Sequence, residues 1–347
     1  MINHENTSID SLAIHKVGNK SLEEGIRISK SKITPNDSIS QLLITYFFTP
    51  FKSEEYFNLF HETSLQMNEV YNYVSVIFND PDRLHEQSVN IAKHLYNQSV
   101  HPKVKNGEVY VVYFQDCIIE GETADAVGIF KSESRETYLK IFSNENGFEI
   151  KSDDGISLNK LDKGCLIFNR ESENGYLVAI ADNIKKSAEA RYWNDDFLRI
   201  CERTDNFYHT KNVIDLCKSY VDERMPEDFQ ITRVDQADLL NKTAKFFKEN
   251  DTFSMGDFAE EVMQQPELID SFKSFTKHFE RENKIPIAED FEISENAVKK
   301  QSRVFKSVIK LDKNFHIYVH GKRDLIVKGY DEESRMHYYQ LFFNEET

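Results

Sequence analysis

The stretch Val109-Tyr110-Val111-Val112-Tyr113-Phe114 is apolar at both parities. Successive side chains of an extended strand point to opposite faces, so this run predicts a central strand covered on both sides. Downstream, residues 126–131, 137–142, 148–150, 165–169 and 176–181 are short and rich in β-formers. Glu120-Gly121, Asn146-Gly147, Asp154-Gly155 and Asn174-Gly175 punctuate them, and such turns join antiparallel neighbours. Upstream, residues 8–17 alternate like an edge or pairing strand. Asp37 opens a short helix that Pro50 stops, and Phe57, Phe60, Val70, Val74 and Ile77 suggest a helical stripe from about Ser53. A further helix carries Leu84, Ile91 and Leu95 and ends before His101-Pro102. These helices are expected on one face of the sheet.

From Ile184 the pattern turns helical, over 187–199, 210–223 and 235–249. Ser254 with Asp257 opens a fourth helix, and Pro266 stands in the first turn of a fifth with the seam Leu268, Phe272, Phe275 and Phe279. Strand character returns over 304–311, 315–320, 325–328 and 338–343. The fold class is α+β: an antiparallel sheet with packed N-terminal helices, a central helical region and a small C-terminal β-sheet. The expected domains are 1–183, 184–302 and 303–347.

The chain has 347 residues, 39% of them hydrophobic, and a formal net charge of −16. That is too apolar for a mostly disordered chain and too acidic for a histone-like coat on nucleic acid. The N-terminus lacks a basic segment followed by an apolar one, and no apolar run approaches the roughly 20 residues of a spanning helix. No secretory signal and no membrane partner are therefore expected. Cys117, Cys165, Cys201 and Cys217 form no CxxC pair, which reads as free thiols in the cytoplasm. Neither a GxSxG elbow nor a GxxxxGK[ST] or GxGxxG loop occurs, so no catalytic residue and no cofactor is assigned.

The most distinctive local feature is electrostatic. Lys299, Lys300, Arg303, Lys306, Lys310, Lys313, Lys322, Arg323 and Lys328 are opposed over their span by Asp312 and Asp324 alone. Such a concentration can hold a polyanion that the rest of an acidic surface repels. Strand parity puts Phe305, Ile309 and Leu311 on one face and Lys306 and Lys310 on the other. In the next strand Phe315, Ile317 and Val319 alternate with His316, Tyr318 and His320. With the apolar set turned inward, the outer face offers lysines to phosphates and Tyr318 to a phosphate oxygen or a sugar. A solvated face with gatekeeping lysines fits the same pattern. His316 and His320, about 13 Å apart along a strand, make no metal pair.

Glu149-Ile150-Lys151 resembles the carboxylate–lysine pattern of metal-dependent nucleases, which would need a second acid such as Asp125 or Asp116 on a neighbouring strand. A solvated hairpin accounts for the same three residues.

Several segments together resemble the NdpA-like family of bacterial nucleoid-associated proteins. They are Ile9-Asp10-Ser11-Leu12-Ala13-Ile14-His15-Lys16-Val17, Ala126-Val127-Gly128-Ile129-Phe130-Lys131 with Tyr138-Leu139-Lys140-Ile141, and Leu158-Asn159-Lys160-Leu161-Asp162-Lys163-Gly164. Ala188-Glu189-Ala190-Arg191-Tyr192-Trp193 and the closing Leu325-Ile326-Val327-Lys328-Gly329 complete the set. The resemblance implies association with the nucleoid, binding to double-stranded DNA and no established catalytic residues; it supplies no contact motif. The leading expectation is a cytoplasmic protein binding double-stranded DNA with little sequence specificity through the basic residues and Tyr318. Its rival is an acidic adaptor or DNA mimic recruited to the nucleoid by DNA-handling enzymes, and a metal-dependent nuclease ranks third. A homo-oligomer is expected.

Overall fold

The computed structural model describes residues 2–145, 147–181, 191–305, 308–319 and 325–345. Two compact units divide the chain, Met1–Arg203 and Thr204–Thr347.

The first unit is built on strands β1 (Ser8–Val17), β2 (Ile26–Arg27), β3 (Tyr56–Leu59), β4 (Gly107–Ile119) and β5 (Glu122–Ser132). It continues with β6 (Glu136–Asn144), β7 (Gly147–Gly155), β8 (Lys163–Phe168), β9 (Leu177–Ala181) and β10 (Ile200–Glu202). Eight of these form one sheet in the order β10-β3-β9-β8-β5-β4-β1-β2, antiparallel throughout.

The double parity of β4 is realised as two cores. Val109, Val111 and Tyr113 pack with Val70, Val74, Ile77, Leu84, Ile91 and Leu95 of helices Glu69–Asn79 and Leu84–Gln98. Tyr110, Val112 and Phe114 pack with Ile44, Phe47 and Phe48 of helix Asp37–Phe48. The N-terminal helices thus cover both faces rather than the one expected, because a strand apolar on both sides leaves neither face able to meet water. Phe47 stacks on Phe130 at 4.1 Å between ring centroids and 6° between planes.

Within the first unit, local reading of the chain differs from the structure at two further places. Tyr56–Leu59 is a strand, not the start of a helix: Tyr56 and Phe57 pair with Ala179 and Val178, and the Asn58 side chain donates to the Tyr176 carbonyl at 2.7 Å. The helix begins at Glu69, where Asn68 caps it by accepting from the Tyr71 N–H. Residues 137–150 do not join the central sheet. β5 pairs directly with β8, so among the described residues β6 and β7 pair only with each other and leave as a two-stranded blade. The expected helix over 187–199 lies partly outside the described residues; Tyr192–Leu198 is helical, and Trp193 is buried against Phe197.

The second unit carries helices Asn206–Ser219, Arg233–Glu249, Pro266–Asn283 and Glu295–Lys300. Asp205, Thr232 and Ser294 cap three of them, the Thr232 cap being reciprocated by Asp235. Tyr220, Phe246, Phe247, Phe253, Phe258, Phe272 and Phe275 fill its core, beside the short pair β11 (Thr252–Ser254) and β12 (Asp290–Glu292). The C-terminal sheet resolves into two separate hairpins, β13 (Val308–Leu311) with β14 (Phe315–Tyr318), and β15 (Ile326–Asp331) with β16 (Met336–Leu341). Among the described residues no helix is long and apolar enough to cross a membrane.

Candidate nucleic-acid interface

β13 and β14 are amphipathic by alternation. Ile309 faces Ile317 across the hairpin, and Ile309 and Val319 are buried with Val234 and Ala237 of helix Arg233–Glu249. The cross-strand pairs Lys310–His316 and Val308–Tyr318 then share the opposite face. Lys310 and His316 are exposed there, and Tyr318 is 61% exposed. The turn is made by Asp312 at φ 48° with Lys313 exposed beside it; a short polar residue tolerates that left-handed backbone better than a branched one. Phe315 shares the parity of Ile317 but, at the strand's first position, remains 65% exposed. The Val234–Ala237 cluster supports Ile309 and Val319, while Phe315 sits at the turn end of the hairpin.

The other basic residues are placed as follows. Lys299 is tied to Glu295 at 2.9 Å, one turn back on its helix. Lys300 lies over the Phe207 ring, 5.5 Å from its centroid. Arg303 is exposed in the turn Gln301–Arg303, and Lys328 is exposed on β15. Among the described residues Arg303, Lys310, Lys313 and Lys328 form no ion pair. Lys306, Lys322 and Arg323, together with His320, lie outside the described residues.

Parity applied to the last hairpin finds residues that reading for charge alone passed over. Lys328 stands opposite Tyr339 and Tyr330 opposite His337, so Lys328, Tyr330 and His337 share a face. The Tyr330 and His337 rings meet edge-on at 5.0 Å. That face also carries Ile326 and Tyr339, which pack against the cluster of Val234, Ala237, Ile309 and Val319, so it differs from the solvent face of Lys310 and Tyr318.

The nuclease constellation is not assembled. Glu149 and Lys151 pair with each other at 3.0 Å on β7, whose only strand neighbour among the described residues is β6. Asp125 lies in the eight-stranded sheet, accepting from the Tyr113 hydroxyl at 2.7 Å, and Asp116 lies in the bulge of β4 in that same sheet. No cluster of three or more His, Cys, Asp or Glu suited to a metal occurs among the described residues. The four cysteines are free thiols, and burial pushes that of Cys117 up to about 12.

The class that emerges is that of nucleoid-associated proteins: residues 13–336, nearly the whole chain, match the family model described as nucleoid-associated protein YejK. The chain belongs to this bacterial family. No curated protein matches it. The family description names an association with the nucleoid and no reaction.

Proposed function

We propose that the protein binds double-stranded DNA with little sequence choice through a C-terminal basic surface, in the cytoplasm and without a cofactor. The surface comprises Lys299, Lys300, Arg303, Lys306, Lys310, Lys313, Tyr318, Lys322, Arg323 and Lys328. The observation that carries this reading is the β13–β14 hairpin, which buries Ile309 and Val319 and turns Lys310, His316 and Tyr318 outward. Lysine ammonium groups neutralise phosphates regardless of sequence, and Tyr318 adds a hydrogen bond or a sugar contact. Lys299 enters this surface only by exchanging Glu295 for a phosphate. The three-domain division at 183 and 302 belongs to the same proposal, the last segment carrying most of the DNA-contacting residues.

The test is a binding titration at several salt concentrations. Affinity should fall steeply, with a log–log slope of about −0.9 per phosphate neutralised. Reversing Lys306, Lys310, Lys322 and Arg323 to Glu should weaken binding roughly a hundredfold at low salt, equally on unrelated duplexes. A variant that holds DNA as tightly as the parent excludes this surface.

The formal charge of −16 favours a second reading, an acidic adaptor that reaches the nucleoid through DNA-handling enzymes or mimics DNA towards them. Failure to shift DNA at low ionic strength, with recovery of such enzymes in a pull-down, selects it. Intact plasmid after long incubation with magnesium or manganese removes the nuclease.

A further inference from the structure

The blade β6–β7 leaves a covered sheet with an uncovered apolar face. Its register pairs Leu139 with Ser152, Ile141 with Ile150, and Ser143 with Phe148, and directly opposed residues of an antiparallel pair share a face. Leu139, Ile141, Phe148 and Ile150 are 69%, 67%, 78% and 65% exposed. The hairpin's lysines are spent on the opposite face, where Lys140 pairs with Asp153 at 2.8 Å and Lys151 with Glu149 at 3.0 Å. The apolar face itself bears one charge, Asp154 at its root, already accepting from the Thr137 hydroxyl at 2.6 Å. With no cation on it, this face has nothing to offer a phosphate.

We propose that this face is a self-association surface whose occupant is the same face of a second copy of the chain. The three rows read large–small, Ile–Ile, small–large. Half a turn about the face normal exchanges Leu139 with Phe148, Ser152 with Ser143 and Ile141 with Ile150. When two such faces meet about a two-fold axis lying between them, each Leu139 and each Phe148 therefore seats over a serine of the other copy, and the isoleucines meet at the centre. That is the self-complementarity an isologous contact requires, at the ~10 Å spacing and near-aligned strands of packed sheets. Because the approaching surface is nearly neutral, two molecules of net charge −16 can meet here without placing unpaired charges against each other. The four side chains present on the order of 500 Å² per copy, the upper end of what monomers leave uncovered. Two copies together remove about 1,000 Å², the lower bound of a specific interface. So small an interface is in keeping with a concentration-dependent dimer, on the order of micromolar or weaker.

The proposal is independent of the DNA reading, and sedimentation velocity of the full chain over a wide concentration range tests it. The parent should pass from monomer to dimer; a monomer at the highest attainable concentration overturns the proposal. Ile141→Lys should weaken association on the order of a hundredfold by placing like charges at the centre. Ser152→Leu makes the face more apolar but fills the seat of a bulky residue, so it should weaken association by about tenfold. Both changes are at exposed positions, so an unchanged melting temperature controls for folding. Tighter association of Ser152→Leu would indicate unspecific stickiness and overturn the seated arrangement. Undisturbed association of Ile141→Lys, with or without a loss of DNA affinity, assigns the face to another occupant and likewise overturns it.

Discussion

The blade β6–β7 and the hairpin β13–β14 are both two-stranded, exposed and dotted with lysine, yet they present opposite chemistry. In the blade each of Lys140 and Lys151 has a carboxylate across or beside it, and the apolar residues point to solvent. In β13–β14 the apolar residues Ile309 and Val319 find a helix, and Lys310 and Lys313 have no carboxylate partner among the described residues. The count of charges does not decide what a strand surface can meet. What decides it is whether the charges are already neutralised and whether the apolar alternation is already covered.

The two hairpins are also anchored differently, which gives the largest effect. The blade's root is polar: the Asp162 carboxylate accepts from the Glu133 N–H at 2.7 Å, the Ser134 N–H at 2.9 Å and the Ser134 hydroxyl at 2.7 Å. Beside it the buried Lys131 donates to the Lys105 carbonyl and to Glu133. Asp162→Ala strands two backbone donors and should cost about 2–3 kcal/mol. Amide exchange should accelerate across Glu136–Gly155 and stay unchanged across Val308–Tyr318; uniform acceleration would erase the distinction. Burial by itself raises the Asp162 pKa, but the N–H and hydroxyl donors outweigh it and hold the carboxyl below its usual value. The stabilisation is therefore complete above about pH 3.9, the unfolded value, and is lost as pH falls through the lower folded one. In Asp162→Ala the acid limb of the unfolding curve should flatten.

A smaller effect sharpens the role of Tyr318. If its hydroxyl donates to a phosphate oxygen, Tyr318→Phe should cost about two- to fivefold in DNA affinity while leaving the salt slope unchanged, because no counterion is released. Tyr318→Ala losing no more than Tyr318→Phe would mean that the ring itself packs on nothing.

How much of this was legible in the sequence depends on range. Val109–Phe114 declared its position because both parities are apolar, a property contained within the strand. Tyr56–Leu59 misled, since its apolar spacing fits helix or strand and only the partner edge at β9, more than a hundred residues on, settles it. The blade's separation from the sheet was hidden for the same reason: the direct pairing of β5 with β8 excludes it. At the basic segment, alternation correctly put Lys310 and Tyr318 on one face. It gave no sign that Phe315, on the same parity as Ile317, stays exposed, because that depends on how far the supporting cluster extends. Tyr330 and His337 carry no fixed charge, and alternation puts them with Ile326 and Tyr339, which pack against the cluster of Val234 and Ala237. His15, inside a stretch that carries the family resemblance, is a buried structural residue. Its Nδ1 accepts from the Ser29 N–H at 3.2 Å, its Nε2 lies 2.9 Å from the Ser88 hydroxyl, and burial with His85 nearby lowers its pKa to about 4. None of those partners is adjacent in sequence.

The smallest expected effect is the sharpest test of the comparison. Lys140→Glu with Lys151→Glu reverses as many charges as a double change in β13–β14. The two blade lysines, however, are held by Asp153 and Glu149 and lean over the Tyr138 and Phe142 rings. Partly exposed pairs of this kind contribute little to stability, and a lysine already neutralised adds little to a polyanion's field. DNA affinity at low salt should change by less than about twofold, with the same slope, whereas Lys310→Glu with Lys313→Glu should lose about tenfold or more. Equal losses from the two pairs would mean that long-range net charge governs binding. The location of unpaired cations would then no longer explain how an acidic protein approaches DNA.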